Sequence, residues 1–445
     1  MASAFEQLAA NFSYSALSKA EDLQKRIWFT LAVLIVYRIG TYIPLPGVNP
    51  EVIGEFARSN AGGILGILDM FSGGAISRMT IFALNIMPYI SASIIVQLMT
   101  SISPHFEALK KEGESGKRKL TQYTRYGTVI LAILQSLGIS AGLLSLQTAH
   151  GPAVFISPFV FKLITVITLT GSTLFIMWLG EQITARGVGN GTSLIIFSGI
   201  VANLPQAVLN TLELGRTGAL SSLIIVGILV MVALVISYIV FMEKAQRRVL
   251  IQYPKRQTAV NMPATSQTSH LPIKLNSAGV IPPIFASSLL LLPGTVIGFS
   301  GVDPDSIFAK ISSYFSHGNP VYIISFVALI VFFAFFYTAL TFNPTETAEN
   351  LRKGGSFIPG IRPGKSTADF LDYVLTRLTA VGSLYLASIC ILPELILMKV
   401  QLPFYLGGTS LLIVVSVTIE TLSQVQSHLL AHQYEGLFKQ SRLKR

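Results

Sequence analysis

The sequence predicts an all-α polytopic membrane protein with ten transmembrane helices in two inverted five-helix halves and a short re-entrant helix. Its composition is the first reason. Hydrophobic residues make up 51% of the 445 residues and charged residues only 12%, and the mean hydropathy is +0.62. Ordinary soluble domains carry about 25% charged residues. So few charges cannot cover a water-exposed surface, and we expect most of the surface to face lipid.

Apolar runs long enough to cross a bilayer are the second reason. A spanning helix needs about 20 mostly apolar residues, and ten such runs occur along the chain. Numbered as spans one to ten, they cover residues 27–45, 80–100, 123–144, 156–179, 192–209, 219–243, 276–299, 320–342, 371–396 and 404–430. They divide into an N-terminal half, 27–209, and a C-terminal half, 219–430.

Residues 62–74 form a further apolar stretch that is too short to cross. As a helix it would extend roughly 20 Å, whereas the hydrocarbon core is roughly 30 Å thick. Paired glycines flank it, Gly62–Gly63 and Gly73–Gly74. Non-helical backbone at membrane depth is tolerated only inside protein or against water. The stretch is therefore predicted to be a re-entrant helix in a funnel.

The basic residues predict the orientation. Most lie in the N-terminal segment 1–26, in loops 104–125, 180–191, 244–275 and 343–370, and in the tail 431–445. The opposite side carries only Arg58, Arg216, Lys310 and Lys399. The positive-inside rule places the basic side in the cytosol, and an even number of spans puts both termini there. Orientation thus explains most of the net charge of +11.

The span count also bears on function. Five spans in each half would invert the second half relative to the first, an arrangement typical of proteins that move a solute across the membrane. Ion-coupled transporters usually place ionisable residues near the midplane, yet the spans hold few, mainly Arg38, Lys162 and Glu420. A secondary transporter with inverted repeats remains the alternative to a channel.

Several motifs that suggest enzymes fail on inspection. GIRPGKS (360–366) is one residue short of a Walker A motif and lacks the strand and helix that the motif needs. GVGNG (187–191) lacks the context of a dinucleotide site. His428 and His432 share a helix face without a third ligand, and Cys390 is the single cysteine. We predict no catalytic residue, metal site or cofactor.

Many stretches, in order and at matching spacing, resemble the SecY family of channel subunits of the bacterial Sec protein translocase. They include YRIGTYIPLPG (37–47), MFSGGAISR (70–78), IFALNIMPYISASIIVQLM (81–99), KKEGESGKRKLTQYTRYGT (110–128), RGVGNGTSLIIF (186–197), AGVIPPIFASS (278–288), FFYTALTFNPTETAENL (335–351), FIPGIRPGKST (357–367) and PFYLGGTSLLIVV (403–415). The resemblance implies a channel that passes unfolded preproteins between the two halves, with no chemistry of its own.

The resemblance also implies functional positions. The short helix would be the plug that closes the outer funnel, with apolar residues Ile64, Leu65, Ile67, Leu68, Met70 and Phe71. The halves would part sideways at a lateral gate between spans two and seven, at Ser91, Gln97, Asn276 and Leu292. We expect Gln97 and Asn276 to hydrogen-bond across that gate.

A pore ring of isoleucines is implied at mid-membrane, at Ile86, Ile90, Ile196, Ile284 and Ile413. A narrow apolar constriction excludes ions by dewetting. Pro88 and the pair Pro282–Pro283 are expected to bend the helices that carry it. Thr192 stands at a position where the family tends to have an aliphatic residue, which predicts a slightly looser or wetter ring.

The resemblance finally implies partners. SecE-like and SecG-like subunits would bind the chain in the cytoplasmic (inner) membrane. A SecA-like motor ATPase or a ribosome would dock on the basic loops, at Arg247, Arg248, Lys255, Arg256, Arg362 and Lys365. Unfolded preproteins with signal sequences would be the substrate, and apolar segments would leave sideways into the lipid bilayer.

Overall fold

Long apolar helices dominate the computed structural model, which describes residues 20–59, 69, 72–148, 151–218, 221–252, 268–299, 319–397 and 407–443. The helices are α1 Glu21–Gly40, α2 Pro50–Ser59, α3 Met87–Ile102, α4 Pro104–Lys111, α5 Glu114–Ser145, α6 Pro158–Arg186, α7 Gly191–Arg216, α8 Ser222–Lys244, α9 Ile281–Phe299, α10 Pro320–Thr341, α11 Pro344–Lys353, α12 Lys365–Leu397 and α13 Gly408–Leu443. Spans one to ten contain α1, α3, α5, α6, α7, α8, α9, α10, α12 and α13. Among the described residues, seven helices are long and apolar enough to cross a membrane, and α3 and α9 supply shorter apolar helices.

The helices begin where the sequence supplies a start signal. Proline occupies the first turn of α3, α4, α6, α10 and α11, where its missing N–H costs nothing. Asn190 caps α7 by accepting a hydrogen bond from the Thr192 N–H, and Asn343 caps α11 in the same way. Such caps satisfy backbone donors that have no partner within the helix.

Hydroxyl groups inside the spans bond to their own helix. Thr128 donates to the Thr124 carbonyl at 2.8 Å, Ser136 to that of Ala132 at 2.6 Å, and Thr173 to that of Leu169 at 2.9 Å. This i to i−4 bond removes the cost of placing a polar side chain in an apolar surrounding. Small polar residues can therefore lie within the packed helices.

Several predicted span boundaries are wrong; spans four and five, predicted to end at 179 and 209, continue as helix to Arg186 and Arg216. Residues 80–86 form turns, and α3 begins only at Met87. Met79 and Asn85 have positive φ angles, a conformation that a helix cannot continue through. On the other side, α5 begins at Glu114, so that Lys117, Arg118 and Arg125 lie on a helix rather than in a loop.

Two antiparallel hairpins were missed by the sequence prediction. A small one pairs β1 (Gln147–Thr148) with β2 (Gly151–Pro152), and a larger one pairs β3 (Gln246–Gln252) with β4 (Thr268–Lys274). The larger hairpin occupies the predicted loop 244–275. Its buried residues Val249 and Ile273 pack with Ile358 and with Leu371 of α12. The two strands therefore form a platform packed against the start of α12.

The helices of the two predicted halves touch along two seams. In the first, α9 contacts α3 and α5; in the second, α13 contacts α7 and α1, and α8 contacts α7. The largest apolar cluster of the described residues lies between these seams and draws on helices from both halves. It contains the candidate site.

Candidate functional site

The five predicted ring isoleucines lie in one apolar cluster. Ile86, Ile90, Ile196 and Ile413 are buried, and the partly buried Ile284 packs against them. They come from the start of α3 and from α7, α9 and α13. Sequence reasoning grouped residues that are more than 300 positions apart, and these residues share one cluster of apolar side chains. The cluster offers an ion no ligand to replace its hydration shell.

The prolines near the ring start helices instead of bending them. Pro88 lies in the first turn of α3, and Pro282 and Pro283 are among the first residues of α9. The expected kinks were wrong because proline in the first turn breaks no hydrogen bond. Ile86 is the residue before α3, and its carbonyl accepts the N–H of Ile90 at 3.1 Å. The two isoleucines are therefore one turn apart, as predicted.

The contact between α3 and α9 is mostly apolar. Its polar cross-contact joins the Ser288 hydroxyl to the Met87 sulfur at 4.0 Å, a weak hydrogen bond. Ser91 is buried in α3. Leu292 belongs to α9, but its side chain lies outside the described part. The assignment of the gate to these positions stays a prediction.

The expected bond between Gln97 and Asn276 is wrong. The Gln97 amide donates to Ser93 at 3.3 Å, one turn back on the same helix. Asn276 donates to the Glu243 carboxylate at 2.8 Å and to the Gly279 carbonyl at 3.1 Å. Each amide thus finds a nearer partner within its own half, which sequence spacing alone could not rank.

Two arginines hold the backbone at the C-terminal end of the predicted plug stretch 62–74. Arg38 donates to the Gly73 carbonyl at 2.9 Å. Arg78 donates to the same carbonyl at 3.1 Å and to that of Gly74 at 2.9 Å. The plug residues Ile64, Leu65, Ile67, Leu68, Met70 and Phe71 lie outside the described residues, so within this stretch the structure describes Asp69 and the start of a stem, Ser72–Ala75. Arg38, whose partner the sequence left open, is a plug-stem contact.

Tyr42 completes the stem contact. The guanidinium carbons of Arg38 and Arg78 lie 5.1 Å and 4.2 Å from the centre of its ring. A Cβ at Gly73, whose φ is +67°, would lie 3.0 Å from the Cα of Gly199 in α7. The stem therefore rests on the helix that carries Ile196. Arg78 and Tyr42 were missed by sequence reasoning.

The basic docking positions gather on one platform. Arg247 and Arg248 are exposed on β3, and Arg362 and Lys365 are exposed beside the start of α12. Gln252 at the end of β3 pairs with Phe357 through two backbone hydrogen bonds. This bridge joins the two loops that the sequence treated separately. Lys255 and Arg256 lie outside the described residues.

The remaining predicted positions show no reactive group. Thr192 hydrogen-bonds the Asn190 side chain at 2.7 Å and thus belongs to the cap of α7. Lys162 and Glu420 are exposed on α6 and α13. In the described ranges, no cluster of three or more His, Cys, Asp or Glu residues could hold a metal ion. The described geometry is that of an apolar cluster between helices, with the stem Ser72–Ala75 held by two arginines and a basic platform formed by β3 and the start of α12.

The fold defines a class: multi-span α-helical membrane proteins with an apolar cluster to which helices of both predicted halves contribute. A sequence profile of the SecY family matches residues 80–422. The chain belongs to the SecY family.

Relatives of known name cover nearly the whole chain. The protein translocase subunit SecY of Rickettsia typhi is 52% identical over 437 residues, with 98% of this chain and 100% of that protein covered. The SecY subunit of Escherichia coli K12 is 49% identical over 432 residues, with 97% of each covered.

Solved structures share the fold. A structure described as a protein conducting channel has a TM-score of 0.63 at 17% identity and covers 91% of this chain and 92% of its own. Sec61 in the canine ribosome–channel complex from the endoplasmic reticulum has a TM-score of 0.60 at 16% identity, with the same coverage. At this identity the likeness concerns the fold.

Proposed function

We propose that this protein is the central channel-forming subunit of a Sec-type translocon. It passes unfolded preproteins across the cytoplasmic membrane and releases apolar segments sideways into the bilayer. The observation that carries the proposal is the single apolar cluster formed by Ile86, Ile90, Ile196, Ile284 and Ile413. The naming of its close relatives as translocase subunits supports it.

The ring suits the passage of a polypeptide. A channel for unfolded chains must admit side chains of every chemistry, so a tight polar site would obstruct it. Stiff β-branched side chains can instead surround a chain as an apolar gasket. When no chain is present they exclude ions by dewetting. No step in this function needs a catalytic residue, a metal or a cofactor.

The first seam provides the sideways exit. We place the lateral gate between α3 and α9, at Ser91, Gln97, Asn276 and Leu292. The apolar contact of these helices supports this, because an apolar segment of substrate can replace it. The segment 62–74, held at its stem by Arg38 and Arg78, acts as the plug.

The basic platform supplies the docking surface. Arg247, Arg248, Arg362 and Lys365 are exposed together at one place, and Lys255 and Arg256 belong to the same loop. Phosphate contacts of ribosomal RNA or acidic groups of a SecA-like motor suit such a surface. SecE-like and SecG-like subunits complete the complex, and both termini of the chain are cytosolic. Relatives of the fold solved on ribosomes support the ribosome as a partner.

The test is the resting conductance of the reconstituted complex. Replacing Ile86 and Ile196 with serine should wet the constriction and raise the resting current in planar bilayers without substrate. The control replaces Ile130 and Ile167, which are exposed on the outer faces of α5 and α6. A current equal to that of the parent in both double variants would reject the ring.

The driving force of transport distinguishes the channel from the alternative, a secondary transporter. A channel requires a motor or ribosome and a preprotein, whereas a transporter requires a solute gradient. Preprotein transport that requires the motor and does not change with the gradient of an ion or a small solute would favour the channel.

A further inference from the structure

The loop 187–191 connects α6 to α7, and the sequence assigned it no role. Three of its backbone N–H groups bind side chains from three different helices. Val188 donates to the Thr30 hydroxyl of α1 at 3.0 Å, and Gly189 donates to the Gln424 side chain of α13 at 2.9 Å. Gly191 donates to the Thr184 hydroxyl of α6 at 2.9 Å. The loop is therefore a junction of four helices, including α7, which begins there.

The glycines of the loop are required by close approach. A Cβ at Gly191 would overlap the carbonyl oxygen of Gly180, and one at Gly187 would overlap the Thr30 hydroxyl. Gly189 has a φ of +89°, and a Cβ there would lie 2.8 Å from Leu194 and 3.2 Å from the Thr421 hydroxyl. Residues larger than glycine would push the loop away from these helices, so glycine at these positions allows the close contact.

A small apolar cluster reinforces the junction. It contains the buried residues Ala20, Leu23, Val188, Val425 and Leu429. These come from the start of α1, the loop and the middle of α13. The cluster and the Gly189–Gln424 hydrogen bond thus join the two predicted halves at the second seam, where α13 contacts α7 and α1.

The junction lies close to the ring along α7. Ile196 follows Gly191 by five positions, or roughly 8 Å along the helix at 1.5 Å per residue. Ile413 lies on the same α13 that carries Gln424. A helix is stiff over such lengths, so the Gly189–Gln424 bond sets how closely these two ring helices approach.

We propose that Gln424 is a positioning residue for the pore ring, acting through the loop 187–191 to fix α7 against α13. The inference rests on the proposed channel function. Loss of the bond should let the start of α7 move away from α13 and loosen the contact of Ile196 with its cluster. A single hydrogen bond of this kind changes a conformational equilibrium by roughly two- to tenfold.

The first experiment measures resting current of the reconstituted complex. Gln424→Leu removes the acceptor at nearly constant size, Gln424→Glu retains an acceptor oxygen, and Gln426→Leu makes the same change two residues along α13. We expect a resting current raised about two- to tenfold in Gln424→Leu, and currents near the parent in the other two.

The second experiment does not depend on conduction. Spin labels at Leu209 and Leu422, which are exposed on α7 and α13, report the distance between the two helices in a Cys390→Ser background. The distance distribution should broaden in Gln424→Leu and not in Gln426→Leu. Gly189→Ala, which strains the loop from the other side of the bond, should broaden it as well.

The outcomes separate the two proposals. If the Ile86→Ser/Ile196→Ser channel conducts while Gln424→Leu leaves both current and distances unchanged, the positioning role is overturned and the channel stands. Equal effects of Gln424→Leu and Gln426→Leu would also overturn it. If even the ring double variant passes no current, the channel proposal fails and takes the positioning role with it.

Discussion

Replacing Arg38 with glutamine should release the plug stem. Arg38 gives the Gly73 carbonyl one charge-assisted hydrogen bond at 2.9 Å, an interaction of about 1.5–3 kcal/mol. Its contact with the Tyr42 ring adds about 0.5–1 kcal/mol. Arg78 still donates to the same carbonyl, so the loss should fall at the low end. About 2 kcal/mol corresponds to a roughly 30-fold shift toward the released stem.

Two measurements check this expectation. Amide hydrogen exchange in residues 72–76 should accelerate by roughly the same factor, since exchange follows the population of the open form. The resting current of the reconstituted complex should rise. Arg216→Gln is the control, because Arg216 is an exposed arginine at the end of α7. The double variant Arg38→Gln/Arg78→Gln should show a larger effect, because it leaves both glycine carbonyls without these donors.

The reasoning would be refuted by a specific result. If Arg38→Gln folds, and neither exchange at 72–76 nor resting current differs from the Arg216→Gln control, the arginine does not hold the stem. A change in current without a change in exchange would place the effect elsewhere in the funnel.

The other two predictions concern docking and the gate. Arg362→Glu should abolish motor-driven translocation while the protein stays inserted and stable, because charge reversal on the exposed platform repels an acidic or phosphate-bearing partner. The control, Arg216→Glu on the opposite side, should translocate normally. Normal translocation by Arg362→Glu would rule out the docking role. Cysteines at Met87 and Ser288 in a Cys390→Ser background should cross-link across the first seam and block preprotein export. A pair at Arg125 and Glu181, which contact each other at 2.6 Å within one half, should cross-link without blocking export, and unimpaired export by the cross-linked Met87–Ser288 pair would misplace the gate.

Hydropathy predicted the spans well but not their starts. The apolar residues Ile81, Phe82 and Leu84 extended span two to residue 80, because hydropathy measures apolarity and not helical backbone. The turns at 80–86 depend on positive φ at Met79 and Asn85, and neither residue type announces this in a sequence. The resemblance supplied five ring positions that spacing could not connect; they share one apolar cluster, and their role as a pore ring stays a prediction.

The hairpin of β3 and β4 left little signal in the sequence, because Val249, Leu250 and Ile251 form a short continuous apolar run. The alternation appears in the structure, where Val249 and Ile251 are buried and Leu250 is exposed, a period of two that is typical of a strand. The long connection between the strands offered no short turn motif. The partners of Arg38 and Gln424 could not be predicted at all, because both bind backbone groups, which every residue possesses.

The local bonding of the seam amides determines what opening the gate would cost. Gln97 bonds Ser93 within the N-terminal half, and Asn276 bonds Glu243 within the C-terminal half. Among the described side chains, separating α3 from α9 breaks one hydrogen bond across the seam, the weak Ser288–Met87 bond. If this seam is the gate, the contact left to be replaced is apolar, and a signal helix or a lipid chain would supply it at little net free energy.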